Sequence, residues 1–106
     1  MTDRLTHTGP LWRWTSASAP AAWFFITIDG AEGEMLAATA LMRRLEGGQA
    51  RGFGAIKVAA QIGETRWSTS VFPAKDAGGY MLPVKASVRK AEAIGEGDLV
   101  TLMLTF

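Results

Sequence analysis

Apolar and polar residues alternate most cleanly at the end of the chain, where Val100, Leu102, Leu104 and Phe106 take one side and Leu99, Thr101, Met103 and Thr105 the other. Successive side chains of a strand point to opposite faces, so this segment reads as a core strand. Ile56, Val58, Ala60 and Ile62 alternate with Lys57, Ala59 and Gln61 in the same way, and Gly63-Glu64 then turns the chain into Thr65 to Phe72. There Trp67, Thr69 and Val71 share one face, with Arg66, Ser68, Ser70 and Phe72 on the other. Trp23 to Asp29 is aromatic and β-branched with apolar residues on both faces, which predicts a strand buried on two sides. A helical period replaces alternation at Met35, Ala38, Leu41, Met42 and Leu45, predicting one amphipathic helix. Asp29 and Glu32 resemble a capping box before it, and Gly47-Gly48 end it. Pro73 and Lys75 to Gly79 break the pattern before a strand over Tyr80 to Val84. Val88, Ala91 and Ile94 then fit a two-turn helix capped by Gly95, and Gly97-Asp98 makes a tight turn.

The order strand, helix, glycine turn, strand occurs twice. Phe25 to Asp29, a helix and Gly54 to Ile62 mirror Met81 to Lys85, a helix and Gly97 to Leu104. The expectation is a mainly β fold with two short helices whose pseudo-twofold halves close one barrel, each covering the other's open edges. A length of 106 residues predicts a single domain over 1–106. Nothing before Gly9 is periodic, so residues 1–8 are expected to be poorly ordered, with a short strand around Leu11 to Trp14 and a small-residue loop over Ser16 to Pro20.

Composition narrows the chemistry. The chain has no cysteine, which excludes disulfides and thiolate metal or redox sites. The polar start and the shortness of the apolar run Trp23 to Ile28 argue against a signal peptide or a bilayer span, so a cytoplasmic protein with no membrane partner is expected. A net charge of +1 hides a basic middle, with nine Lys or Arg against three acids between Arg43 and Lys90.

Two segments carry a resemblance. Leu82-Pro83-Val84-Lys85-Ala86-Ser87-Val88-Arg89-Lys90, followed by Ile94-Gly95-Glu96-Gly97-Asp98, is similar in outline to the swapped-hairpin unit of the AbrB/MazE regulators and antitoxins. Taken with Trp67-Ser68-Thr69-Ser70-Val71-Phe72-Pro73, Lys75 and Tyr80, it more closely resembles the bacterial family designated domain of unknown function 1905, over about Leu11 to Leu104. That resemblance implies a double-split β-barrel in which one chain supplies both halves, and it implies no activity. Relatives also occur fused to a domain associated with bacteriocin protection; this chain stops short of one, so an isolated module acting with a separate partner is expected.

Candidate sites are weighed against plainer roles. Gly52, Gly54, Gly78 and Gly79 lack a following Gly-Lys-Ser/Thr and read as turn glycines. His7, the single histidine, has no carboxylate at ligand spacing, so neither a metal nor another cofactor is expected. Ser68 and Ser70 lack a nearby histidine, which leaves Lys75 or Lys85 as the only base for a Ser-Lys enzyme; cross-strand hydroxyl pairs with Trp67 anchoring the core are the simpler reading. Of Lys75, Lys85, Arg89 and Lys90, the family resemblance places three around one strand-to-helix junction, where an anion site is expected, set against Arg89 pairing with Asp98 or Glu92. Trp12, Trp14 and Trp23 are candidates for a groove, with core packing the commoner fate. The reading that emerges is a binding or interaction module rather than an enzyme. It holds an anionic small molecule or a protein partner near Trp67, Thr69, Ser70, Lys75, Lys85 and Arg89. A DNA-binding, antitoxin-like regulator ranks second and a Ser-Lys hydrolase third.

Overall fold

A computed structural model describes residues 3–47, 54–74 and 78–106. Six strands and two helices follow one another as β1 (Arg4–Ser16), β2 (Ala19–Ile28), α1 (Gly30–Gly47), β3 (Ile56–Ile62), β4 (Thr65–Pro73), β5 (Tyr80–Pro83), α2 (Ala86–Glu92) and β6 (Leu99–Thr105). The strands close an antiparallel barrel in the order β1-β2-β5-β4-β3-β6. Exchanging β1 with β4, β2 with β5 and β3 with β6 returns the same ring, so the topology has the pseudo-twofold expected from the repeated strand-helix-strand order.

Two strands serve two neighbours each. β1 pairs with β6 over Arg4 to Pro10 and with β2 from Leu11 onward. β4 pairs with β3 as far as Val71 and then with β5 through Phe72 and Pro73. Each switch splits the barrel wall, and each split carries a helix: α1 packs on β1 and α2 on β4. Pro10, which has no N–H to donate, stands at the first switch.

The interior is filled by the alternating face of every strand, including Leu5, Leu11, Ile26, Ile28, Ile56, Val58, Ile62, Val71, Leu82, Leu102 and Leu104, all buried. Each contributes about 1.5–3 kcal/mol relative to an exposed side chain, so the shared core holds the halves together. Leu36 of α1 and Val88 of α2 plug into it from the two splits.

Three expectations are corrected here. Arg4 to Thr8, expected to be poorly ordered, begin a 13-residue strand in which Leu5, His7, Gly9 and Leu11 point inward. The alternation was hidden because His and Gly occupy two of the inward positions. Ser16 to Pro20 is a tight hairpin joining β1 to β2 rather than a loop, with Ser16 opposite Ala19. The second helix ends at Glu92, where Ala93 takes a left-handed φ of 53°, ahead of the expected cap at Gly95. The glycine turn at Gly52 lies outside the described residues.

α1 departs most from the pattern. Of the predicted stripe, Met35, Leu41, Met42 and Leu45 are exposed, and Leu36 is buried in their place. Close backbone packing sets this rotation. A Cβ on Gly33 would lie 2.7 Å from the Ile28 carbonyl oxygen and 3.2 Å from Gly79 Cα, and a Cβ on Gly79, at φ +78°, would overlap that same oxygen. Gly78, at φ +72°, has open space around it. Gly78→Ala should therefore cost only the left-handed strain of about 1–2 kcal/mol. Gly79→Ala should cost about 3 kcal/mol or more, because the backbone must also shift. Urea unfolding of the two variants checks this, and equal losses would show that the close approach contributes nothing.

Candidate functional site

The split beside α2 forms a groove. Its volume is about 440 Å³, and its lining includes Trp23 and Phe24 of β2, Trp67, Ser68 and Thr69 of β4, and Pro83, Val84, Lys85 and Arg89 around the β5–α2 junction. It exists because β5 is short. Pro83 ends the strand, Val84 N–H donates once more to the Phe24 carbonyl at 2.9 Å, and the chain turns into α2. β4 is thereby left without a strand partner on this side from Thr65 to Val71.

Phe24 and Trp67 pack against the core and present their remaining surface to the groove. Arg89 lies across Phe24, its guanidinium carbon 3.8 Å from the ring centroid, while its Nε donates to the Val84 carbonyl at 3.2 Å. The stack and the hydrogen bond fix the guanidinium plane. Neither acid expected as a partner takes it. Asp98 Oδ2 accepts from Gly95 N–H at 2.7 Å, and Glu92 accepts from the Thr65 hydroxyl. Among the described residues both ion pairs belong to His7, so Arg89 is held in place without an opposing carboxylate. Lys85, exposed, precedes α2 in extended conformation.

Four of the residues expected at the site, Trp67, Thr69, Lys85 and Arg89, therefore line one concavity. Ser70 lines the adjoining shallow surface with Trp23, Lys57, Ser68, Phe72 and Pro83. Lys75 lies outside the described residues, and Lys90 is exposed on α2. Phe24 and Val84 were not singled out from sequence. Phe24 sits in a run apolar on both faces, and its partner Arg89 is far away in the chain, so neither spacing nor composition connects them.

Other expectations change. Trp14 and Trp23 face each other across β1 and β2 at 44% and 54% exposure, so they belong to an outer aromatic surface rather than the core. Trp12 joins them there, with its ring 5.1 Å from Phe25 and its Nε1 donating to Thr27 Oγ1 at 2.8 Å. The expected cross-strand hydroxyl pair occurs between Thr8 and Thr101, 3.0 Å apart, and not along Ser68 to Ser70. The lysine directly across from Ser70 is Lys57, rather than either base considered from sequence.

The split beside α1 has a different character. His7 is buried there, its Nδ1 donating to Glu32 Oε1 at 2.9 Å and its Nε2 facing Asp29 Oδ1 at 3.8 Å. The carboxylates absent from its sequence neighbourhood arrive from the β2–α1 junction, and Glu32 serves His7 rather than closing a capping box. The two acids stand at opposite nitrogens of the ring. Among the described residues no group of three or more acidic or histidine side chains is arranged to hold a metal ion.

A family model for a domain of unknown function (DUF1905) matches residues 7–104. The chain belongs to this family. Its match takes in β2 to β5, both helices and most of β1 and β6, including both splits. No curated protein matches the chain significantly. Among the described residues no helix is long and apolar enough to cross a membrane.

Tyr80, the one tyrosine, lines a concavity with Asp29, Gly33, Glu34 and Pro73. Burial raises its phenol above the ordinary 10.0, partly opposed by the positive charge of Arg44. The unfolded chain then ionises first as pH rises. Stability from this group is full below about pH 10 and is lost as pH climbs through the raised folded value. Tyrosinate absorbance should titrate later in the folded protein than in urea, and Tyr80→Phe should lose less stability than wild type above about pH 10. Coincident titrations would remove the effect.

Proposed function

We propose that this family member is a binding module whose groove beside α2 captures a carboxylate or phosphate carried on an apolar body, from a small molecule or from a protein partner. One observation carries the reading: Arg89 is fixed by Phe24 and Val84 yet has no acid opposite it among the described residues. A guanidinium held this way loses little further freedom on binding, and a planar anion can take two of its N–H donors at once. Lys85 adds charge at the rim, and Phe24, Trp67 and Trp23 supply apolar surface for the remainder of the ligand.

Nucleic acid fits less well. The cations of the basic middle that lie in described segments are spread over α1 (Arg43, Arg44), the β3–β4 sheet (Lys57, Arg66) and the β5–α2 junction with α2 itself (Lys85, Arg89, Lys90), rather than along one groove-tracking stripe.

Titration with aryl carboxylates and aryl phosphates, followed by tryptophan fluorescence and calorimetry, tests the proposal. Hydrogen bonds to a charged group are worth about 1.5–3 kcal/mol, so Arg89→Ala should weaken binding by about 10- to 100-fold. Lys90→Ala, outside the groove, should leave it unchanged. Binding indifferent to Arg89→Ala, or no saturable binding across the series, would count against the site. Retardation of DNA weakened alike by Arg66→Ala and Arg89→Ala would favour the regulator reading instead.

A further inference from the structure

The groove beside α2 is also a gap in the strand order. Continuing the β5 register past Pro83 would set the next residues opposite Phe24, Trp23 and Ala22 of β2 and opposite Thr69, Ser68 and Trp67 of β4, and all of these line the groove. The chain leaves that lane after Val84, because Lys85 already precedes α2. An edge of β4 is left facing it. Ile62 and Thr65 pair on either side of the two-residue turn Gly63-Glu64, so the main-chain groups of Thr65, Trp67, Thr69 and Val71 point to β3. Those of the residues between them point the other way, in phase with Ala74, whose N–H donates to the Gly79 carbonyl at 2.9 Å. Ser68 and Ser70 therefore turn N–H and C=O toward the groove side with no main-chain partner among the described residues.

Resting on the reading of this groove as an anion site, we propose that its ligand is the C-terminal end of an extended peptide from a protein partner, which adds to β4 as a strand and sets its terminal carboxylate on Arg89. Three features select this occupant. The open edge offers hydrogen bonds in series, which a second main chain can take and a compact molecule cannot. Arg89 stands beside Phe24 and Val84, at the end of the lane nearest β5. Beyond Val84 the lane is filled by β5 itself, so an incoming strand has to stop there: a chain terminus fits and a continuing chain does not. The guanidinium then chooses which terminus, since it attracts a carboxylate and repels an ammonium group. A strand ending at Arg89 enters past Trp67 and runs parallel to β4, and Phe24 and Trp67 give its last side chain an apolar seat.

N-acetylated hexapeptides ending in Leu, Val or Phe, each made as the free acid and as the C-terminal amide, test this on the intact chain by calorimetry and by amide exchange followed by NMR. At least one free acid should bind, and its amide should bind about 10- to 100-fold more weakly, a loss matched by Arg89→Ala with the acid. The hexapeptide acid should also exceed the corresponding N-acetyl amino acid by about 3- to 10-fold for each main-chain hydrogen bond it adds. At saturation the amides of Ser68 and Ser70 should exchange more slowly than in the free chain. Peptide acids that bind no better than the N-acetyl amino acids, or that leave Ser68 and Ser70 exchanging as before, overturn the added strand while the anion site still stands on its aryl ligands. Equal binding of acid and amide overturns the placement of the terminus on Arg89. If neither peptides nor aryl anions bind, the anion site and the strand fall together.

Discussion

Every main-chain edge in a barrel must find a partner, and in this chain two strands meet that demand by changing partners part-way along. β1 leaves β6 for β2 after Pro10, and β4 leaves β3 for β5 after Val71. The wall closes, but each change leaves a stretch of strand with one side open. A helix is the natural cover, because it satisfies its own backbone and can lower one apolar residue into the gap. Leu36 and Val88 are those residues, and the positions of both candidate sites follow from the splits they fill.

The halves share this plan and diverge in what they place at the splits. Beside α1 the polar groups answer one another, with His7 set between Glu32 and Asp29. Beside α2 they do not: among the described residues no carboxylate pairs with Arg89, while Asp98 accepts from Gly95 N–H and Glu92 from Thr65. Stacking on Phe24 costs the guanidinium little, since Arg is weakly hydrated for a cation and its face is apolar. Its terminal N–H donors still need a partner of opposite charge. That difference, more than the size of either concavity, makes the α2 side the place to look for a ligand.

Much of the architecture was legible because alternation over β3, β4 and β6 is clean and the repeat of strand, helix and strand is readable without residue identity. Most of the site was legible for a narrower reason: Trp67, Thr69, Lys85 and Arg89 lie on the segments that carry the family resemblance, and the fold brings those segments together. What was hidden depended on distance. The acids around His7 lie more than twenty residues away, the ring beneath Arg89 lies on another strand, and the first strand's inward positions include a histidine and a glycine that no hydrophobic pattern counts.

The helix α1 shows how a correct period can be assigned to the wrong face. Its sequence holds two stripes, a wide one of Met and Leu and a narrow one formed by Gly33, Leu36 and Ala40. Hydrophobicity alone favours burying the wide stripe. The first turn, however, must pass against the Ile28 carbonyl and Gly79, where even a methyl group is too large, and only the side bearing Gly33 can do so. Rotating the helix to bury Met35 and Leu41 would bring side chains into that contact and would withdraw Leu36 from the split. Steric exclusion at one turn thus outweighs the transfer free energy of several side chains in fixing the helix's orientation, and the wide stripe is left facing outward.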